Sequence, residues 1–172
     1  MNITKSYSIK KVSAETLNQV TDFIIRLRKE LFPMLPHAEL PIDLLEFEET
    51  YTKRDDAALF AAFMENGSVV GTIGAYHYDG RFEELQKFYK DKYIAEVVKC
   101  YVDSNFRRLG IGTQLYNTVH NFCCKAGYQE LYLHTHPFLP GGLPFWRTLC
   151  FSERLVEDDP VWNTIHMEKK LK

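Results

Sequence analysis

The residues whose types and spacing promise chemistry lie between positions 96 and 113. The run Arg107-Arg108-Leu109-Gly110-Ile111-Gly112-Thr113 stands where a strand pattern over 94–102 gives way to a helical one. The first turn of a helix leaves backbone N–H groups without intrahelical partners and carries the positive end of the helix dipole. Glycines that permit close approach therefore make a cradle for an anion there. Arg107 and Arg108 would add charge-assisted hydrogen bonds. Two other phosphate-binding signatures are excluded. The dinucleotide fingerprint needs a third glycine where Leu115 stands, and a P-loop needs a Gly-Lys-Ser/Thr run that does not follow.

Glu96 precedes the cradle on the same predicted strand. A period-2 reading of 94–102 puts Glu96, Val98, Cys100 and Val102 on one face and Val97, Lys99 and Tyr101 on the other. A carboxylate facing a partly apolar cleft is expected to have its pKa raised, which suits a general base. The plainer alternative for Glu96 is a solvated or salt-bridged strand residue. His134 and His136 fall two apart on one strand, as paired metal ligands can, but no third ligand stands at a suitable spacing, so no metal is expected. Cys150 has no basic neighbour in sequence to make it a nucleophile. Cys100, Cys123, Cys124 and Cys150 form no CxxC pair and are read as reduced, buried thiols. The acidic run Glu157, Asp158 and Asp159 reads as a solvated loop, or as an attractor for a cationic acceptor.

The elements that must position these residues follow from periodicity. Residues 7–12 form an opening strand, and Ser13 caps a helix on which Leu17, Val20, Ile24, Leu27 and Leu31 share a face. Pro33 and Pro36 end it, and a second helical pattern covers 41–53. Apolar runs at 57–64 and 68–76 flank Glu65-Asn66-Gly67, a hairpin signal. Residues 79–92 read as a short helix or surface insertion of undefined role. After strand 94–102 a helix carries Leu115, Val119, Phe122, Cys123 and Ala126 on one face and stops at Gly127. Strand 130–136, a short helical segment after the Pro/Gly-rich 137–144, and a final strand complete the chain. Strand, helix and strand from 94 to 136 make a crossover unit, so these two strands should be parallel within a mixed sheet.

The composition bounds the partners. With 172 residues the chain suits one domain, residues 1–172. A formal charge of −2 lacks the positive field of a nucleic-acid binder, so no nucleic-acid partner is expected. No apolar run approaches the roughly 20 residues that span a bilayer, and residues 1–13 do not read as a secretory signal. A cytoplasmic protein with no membrane partner is the expectation.

Arg107-x-x-Gly110-x-Gly112 resembles the Arg/Gln-x-x-Gly-x-Gly/Ala motif of the GNAT superfamily of acyl-CoA-dependent N-acyltransferases. VVKCYVDSNFRRLGIGTQL is similar to that family's central strand, loop and helix; Leu131–Thr135, Phe145–Phe151 and HMEKKL resemble later segments. The resemblance implies an α/β fold with a splayed, mostly antiparallel sheet, a parallel central strand pair and flanking helices, in the order βααβββαβαββ. It also implies acetyl-CoA as cosubstrate. Backbone groups near Cys100 and Val102 would bond the pantetheine arm. The N–H groups of Arg108, Leu109, Gly110, Ile111, Gly112 and Thr113 would hold the pyrophosphate, with charge from Arg107 and Arg108.

The implied reaction is direct attack of an amine, on a small molecule or a protein, upon the thioester in a ternary complex. Glu96 would be the base, and an N–H near Cys100 would stabilise the oxyanion. The chain departs from the family's Phe-Tyr-x-x-x-Gly-Phe pattern: it reads Phe145-Trp146-Arg147-Thr148-Leu149-Cys150-Phe151, and an indole cannot protonate a thiolate near neutral pH. Two alternatives therefore stand beside acetyl transfer, a longer acyl-CoA and a non-catalytic coenzyme A binding or sensing module. By analogy with such families a homodimer is open.

Overall fold

A computed structural model describes residues 6–171. Seven strands, β1 (Tyr7–Lys11), β2 (Ala58–Met64), β3 (Val69–His77), β4 (Ile94–Val102), β5 (Glu130–Thr135), β6 (Ser152–Val156) and β7 (Ile165–Lys170), form one sheet in the order β1-β2-β3-β4-β5-β7-β6. The helices are α1 (Leu17–Leu31), α2 (Ile42–Leu45), α3 (Gln86–Tyr89), α4 (Ile111–Lys125) and α5 (Gly142–Thr148). β4 and β5 are parallel, joined through α4, whereas β1–β2, β2–β3, β5–β7 and β6–β7 are antiparallel. The mixed sheet expected from the crossover pattern is thus present. Among the described residues no helix is long and apolar enough to cross a membrane.

The chain divides into two compact units that interleave in sequence. One runs up to Tyr76 and resumes at Val98–Ala126; the other takes His77–Val97 and the chain from Gly127 on. In the first unit, α1 buries Val20, Phe23, Ile24 and Leu27 against Leu44, Phe47, Tyr51, Leu59 and Phe63. α1 starts at Leu17 rather than after Ser13: Ser13 N–H donates to Thr16 Oγ1 at 3.2 Å and Thr16 N–H to the Ser13 carbonyl at 3.1 Å, a turn that delays the helix. The single helix read over 41–53 is instead α2 followed by a π-helical turn, Glu48–Thr52. That broad turn brings the Tyr51 hydroxyl onto buried Asp43, where it donates to Oδ2 at 2.7 Å; Lys99 Nζ lies 3.2 Å from Oδ1.

α4 lays Leu115 and Val119, both inaccessible to solvent, toward the sheet, and Phe122 meets Phe60 edge-on at 5.8 Å. This close approach requires Gly71 on β3. A Cβ there would stand 2.9 Å from Leu115 Cδ1, 3.2 Å from the Tyr101 carbonyl and 3.3 Å from Ile111 Cγ2. The second unit has an aromatic core of Tyr78, Leu85, Tyr89, Ile94 and Tyr132. Residues 79–92, whose role the pattern left undefined, supply much of it through a 3-10 turn at Glu83–Leu85 and through α3.

Candidate functional site

In the first unit the exit from β4 is tied down before the helix begins. The Asp103 N–H donates to the Val70 carbonyl at 2.9 Å. Its Oδ1 accepts the Asn105 N–H at 2.9 Å, and its Oδ2 accepts Arg26 Nη2 at 2.8 Å. Burial alone would raise this carboxyl, but the hydrogen bonds from Arg26 and from the Asn105 N–H outweigh it and hold the group below its usual range. After a 3-10 turn at Ser104–Phe106, the backbone enters the left-handed region at Arg108, φ +63°, and again at Gly110, φ +79°. A Cβ on Gly110 would meet nothing within 4 Å, so the conformation, not the space, calls for glycine.

α4 then opens with Gln114 N–H on the Gly110 carbonyl at 3.0 Å. By helix geometry the N–H groups of Ile111, Gly112 and Thr113 have no acceptor within the helix. Backbone that turns through left-handed residues into a helix N-terminus forms the concavity in which anions bind. Arg107, Arg108, Leu109 and Gly110 are exposed at its rim, and Arg107 Nε donates to the Val102 carbonyl at 3.3 Å. Cys100, two residues earlier, is half-buried, and desolvation pushes its thiol up to about 12, which keeps it neutral. Lys99, at φ +54°, interrupts the strict alternation read over 94–102, and its carbonyl accepts the Thr72 hydroxyl at 2.7 Å.

In the second unit Glu96 is completely buried, yet it is not isolated. Arg81 Nη1 donates to Glu96 Oε2 at 3.0 Å and Arg81 Nη2 donates to Oε1. Arg81 comes from the 79–92 segment, its guanidinium 4.6 Å from the Phe82 ring centroid, and Nη1 also reaches Asp79 at 3.1 Å. Burial works against the charge on Arg81, but the hydrogen bonds and charge of Glu96 and Asp79 outweigh it and raise its pKa. The sequence held two readings of Glu96, a base in an apolar cleft and a paired strand residue; the fold gives a buried carboxylate with a cation on it.

Tyr132 is the register partner of Glu96 on β5. Burial, and secondarily the negative charge of Glu96, raises its phenol, so Tyr132 is protonated at neutral pH. His134 Nδ1 lies 3.4 Å from the Tyr132 hydroxyl, and the His136 ring stacks on Phe138 with centroids 5.2 Å apart. His136 Nδ1 donates to the Trp162 carbonyl at 3.1 Å. Burial lowers the pKa of His136. Among the described residues no group of three or more His, Cys, Asp or Glu is arranged to hold a metal.

Trp146 is buried between Phe145 at 4.8 Å and Phe151 at 5.3 Å. Of the four free cysteines only Cys123 is fully buried, and Cys150 is exposed, correcting the expectation of four buried thiols. Its place explains this. Cys150 N–H donates to the Arg147 carbonyl and Phe151 N–H to the Trp146 carbonyl, a Schellman closure with Cys150 at φ +68° in the position that usually takes glycine.

The chain is similar to known proteins along most of its length. The model of the acetyltransferase (GNAT) family matches residues 22–150. The chain belongs to this family. A probable N-acetyltransferase, camello, from Xenopus tropicalis is 27% identical over 115 residues, 67% of this chain and 48% of that protein; the match thus spans about half of the relative. Among solved structures, a GNAT-family acetyltransferase from Staphylococcus aureus Mu50 superposes with TM-score 0.76 at 21% identity, covering 97% of this chain and 100% of that one. The PaiA N-acetyltransferase of Thermoplasma acidophilum, solved with coenzyme A, gives TM-score 0.65 at 20% identity over 96% and 99% of the two chains. A GNAT-superfamily phosphinothricin acetyltransferase of Sinorhizobium meliloti, solved with AcCoA, gives 0.70 at 19% over 96% and 88%. At these identities the structures establish the GNAT fold. The parallel β4–β5 pair joined through α4 is the one that the family resemblance implied.

Proposed function

We propose that this GNAT chain transfers the acetyl group of acetyl-CoA to an amine by direct attack. The observation that carries the reading is the left-handed turn at Arg108 and Gly110 opening into α4, which frees consecutive N–H groups at Ile111, Gly112 and Thr113 for a pyrophosphate. Arg107 and Arg108 add charge there, and backbone groups around Cys100 and Val102 bond the pantetheine arm. The amine nitrogen attacks the thioester carbonyl, an N–H of β4 near Cys100 stabilises the oxyanion, and the C–S bond breaks. The amine proton passes to Glu96, directly or through water. With ordinary pKa about 8.5, a thiolate departs without a strong acid beside it, which accords with Trp146 standing where a tyrosine would.

The test is incubation with acetyl-CoA and a panel of small amines and amine-bearing peptides, following free thiol and the acetylated product by mass. Thiol release that depends on the amine, with one acetyl added per thiol, is the expected result. Binding of acetyl-CoA without release on any amine would mark a coenzyme A binding module instead.

A further inference from the structure

A left-handed lysine stands inside a strand of the first unit. Lys99 on β4 has φ +54°, a conformation that crowds the Cβ of an L residue and that lysine adopts only under constraint from its surroundings. Both ends of the residue are held. Its carbonyl accepts the Thr72 hydroxyl of β3 at 2.7 Å, and Thr72 is inaccessible to solvent. Its ammonium lies 3.2 Å from Oδ1 of Asp43 on α2, the two side chains being only 14% and 7% exposed. Asp43 is fixed in turn, because the Tyr51 hydroxyl donates to its Oδ2 at 2.7 Å and Tyr51 is buried in the core. The flanks are close-packed as well: a Cβ on Gly74 would stand 3.3 Å from Val98 Cγ2, and one on Gly71 3.2 Å from the Tyr101 carbonyl.

The turn decides where one N–H points. A trans peptide is planar, so the Cys100 N–H points opposite to the Lys99 carbonyl, and the Thr72 hydroxyl holds that carbonyl. Were residue 99 extended like an ordinary strand residue, the Lys99–Cys100 peptide would be rotated and the N–H aimed elsewhere. A glycine would take the left-handed form freely; a lysine needs the tether. An ion pair this little exposed is weakly screened, so it serves as a tether where a surface pair would not. Backbone strain held by surrounding contacts is one form that preorganisation takes at reacting centres.

We propose that Lys99 is a positioning residue: its ion pair with Asp43 holds β4 in the left-handed turn that aims the Cys100 N–H at the thioester oxygen. This rests on the reading of the chain as an acetyltransferase with that N–H as its oxyanion donor. Lys99 acts through the backbone, not by contact with either substrate. Asp43 and the Tyr51 hydroxyl behind it anchor the side-chain end, and Thr72 anchors the carbonyl end.

The test compares Lys99→Met with Lys99→Gly in the full chain. Both remove the ammonium and leave Asp43 equally bare, but glycine takes the left-handed form without strain and methionine does not. Without any substrate, NMR couplings across residue 99, which report φ, should show it leaving the left-handed region in Lys99→Met and keeping it in Lys99→Gly. In turnover, Lys99→Met should lower kcat by about a hundredfold, the scale of a lost oxyanion donor, and Lys99→Gly should recover about tenfold of that loss. Coenzyme A, which has no thioester, should bind all three forms with Kd within about threefold, since the cradle at the start of α4 is untouched. If bare Asp43 unfolds Lys99→Met, the same comparison is made with Asp43→Asn added to both variants. A residue 99 still left-handed in Lys99→Met would overturn the proposal, as would equal kcat in the two variants, an undiminished kcat in Lys99→Met, or a collapse of coenzyme A binding. The couplings need no turnover: if the wild type releases no thiol with any amine, the acetyltransfer reading fails while the tether is still decided.

Discussion

Gly110→Glu should abolish acetyl-CoA binding while leaving the chain folded. Two costs enter. Any L side chain at φ +79° bears strain of roughly 1–2 kcal/mol, because Cβ crowds the following carbonyl. The new carboxylate then stands at the mouth of the cradle, where it repels the pyrophosphate and competes for the same N–H groups. Gly67 separates the two. It lies at φ +86° in the β2–β3 turn, where a Cβ would also meet nothing within 4 Å, so Gly67→Glu bears the same strain with no carboxylate at the cradle. Both variants should lose similar thermal stability. Calorimetric titration with acetyl-CoA should give a near wild-type Kd for Gly67→Glu and at least a hundredfold weaker one for Gly110→Glu. Equal affinities would remove the cradle from coenzyme A recognition.

Glu96→Gln should lower kcat/KM by about 10²–10⁴-fold at pH 7, the contribution of a positioned base. The sign of its pH dependence is set by the acceptor. An alkyl ammonium titrates near pKa 10.4, so below that value the free amine is scarce and rises about tenfold per pH unit. The variant, having no carboxylate, should follow that slope alone, and its deficit should shrink as pH climbs toward 10. The wild type should rise less steeply over the same range because Glu96 removes the proton during reaction. Acetyl-CoA affinity should be unchanged, showing that the loss is not a collapse of β4. A pH–rate profile that superposes on the wild type after scaling would take Glu96 out of the base role.

How legible was this in the chain? Strong local signals survived folding. Asn66-Gly67 turns the β2–β3 hairpin, and Arg107–Thr113 turns into α4 through left-handed Arg108 and Gly110. Features decided by distant partners did not appear in sequence. Nothing local to 79–92 says that Arg81 reaches Glu96, because the contact depends on where β4 lies in the sheet. The 41–53 periodicity suits one helix, but the bond from Tyr51 to Asp43 and the Lys99 partner favour a π-helical turn there. Likewise the alternation over 94–102 is sound as a pattern and is interrupted by one left-handed residue, Lys99, that no residue type announces. His166 carried no motif at all. It meets Tyr132, at 2.7 Å, through the antiparallel register of β5 and β7, which is invisible before the sheet order is known.

The most direct test of the central claim is a titration of the full chain with acetyl-CoA, read by backbone amide NMR. Coenzyme A held by its pyrophosphate should move the N–H resonances of Arg108 through Thr113 downfield first and furthest, saturating together with those of Cys100 and Val102. Saturable binding that leaves residues 108–113 unmoved would contradict the account.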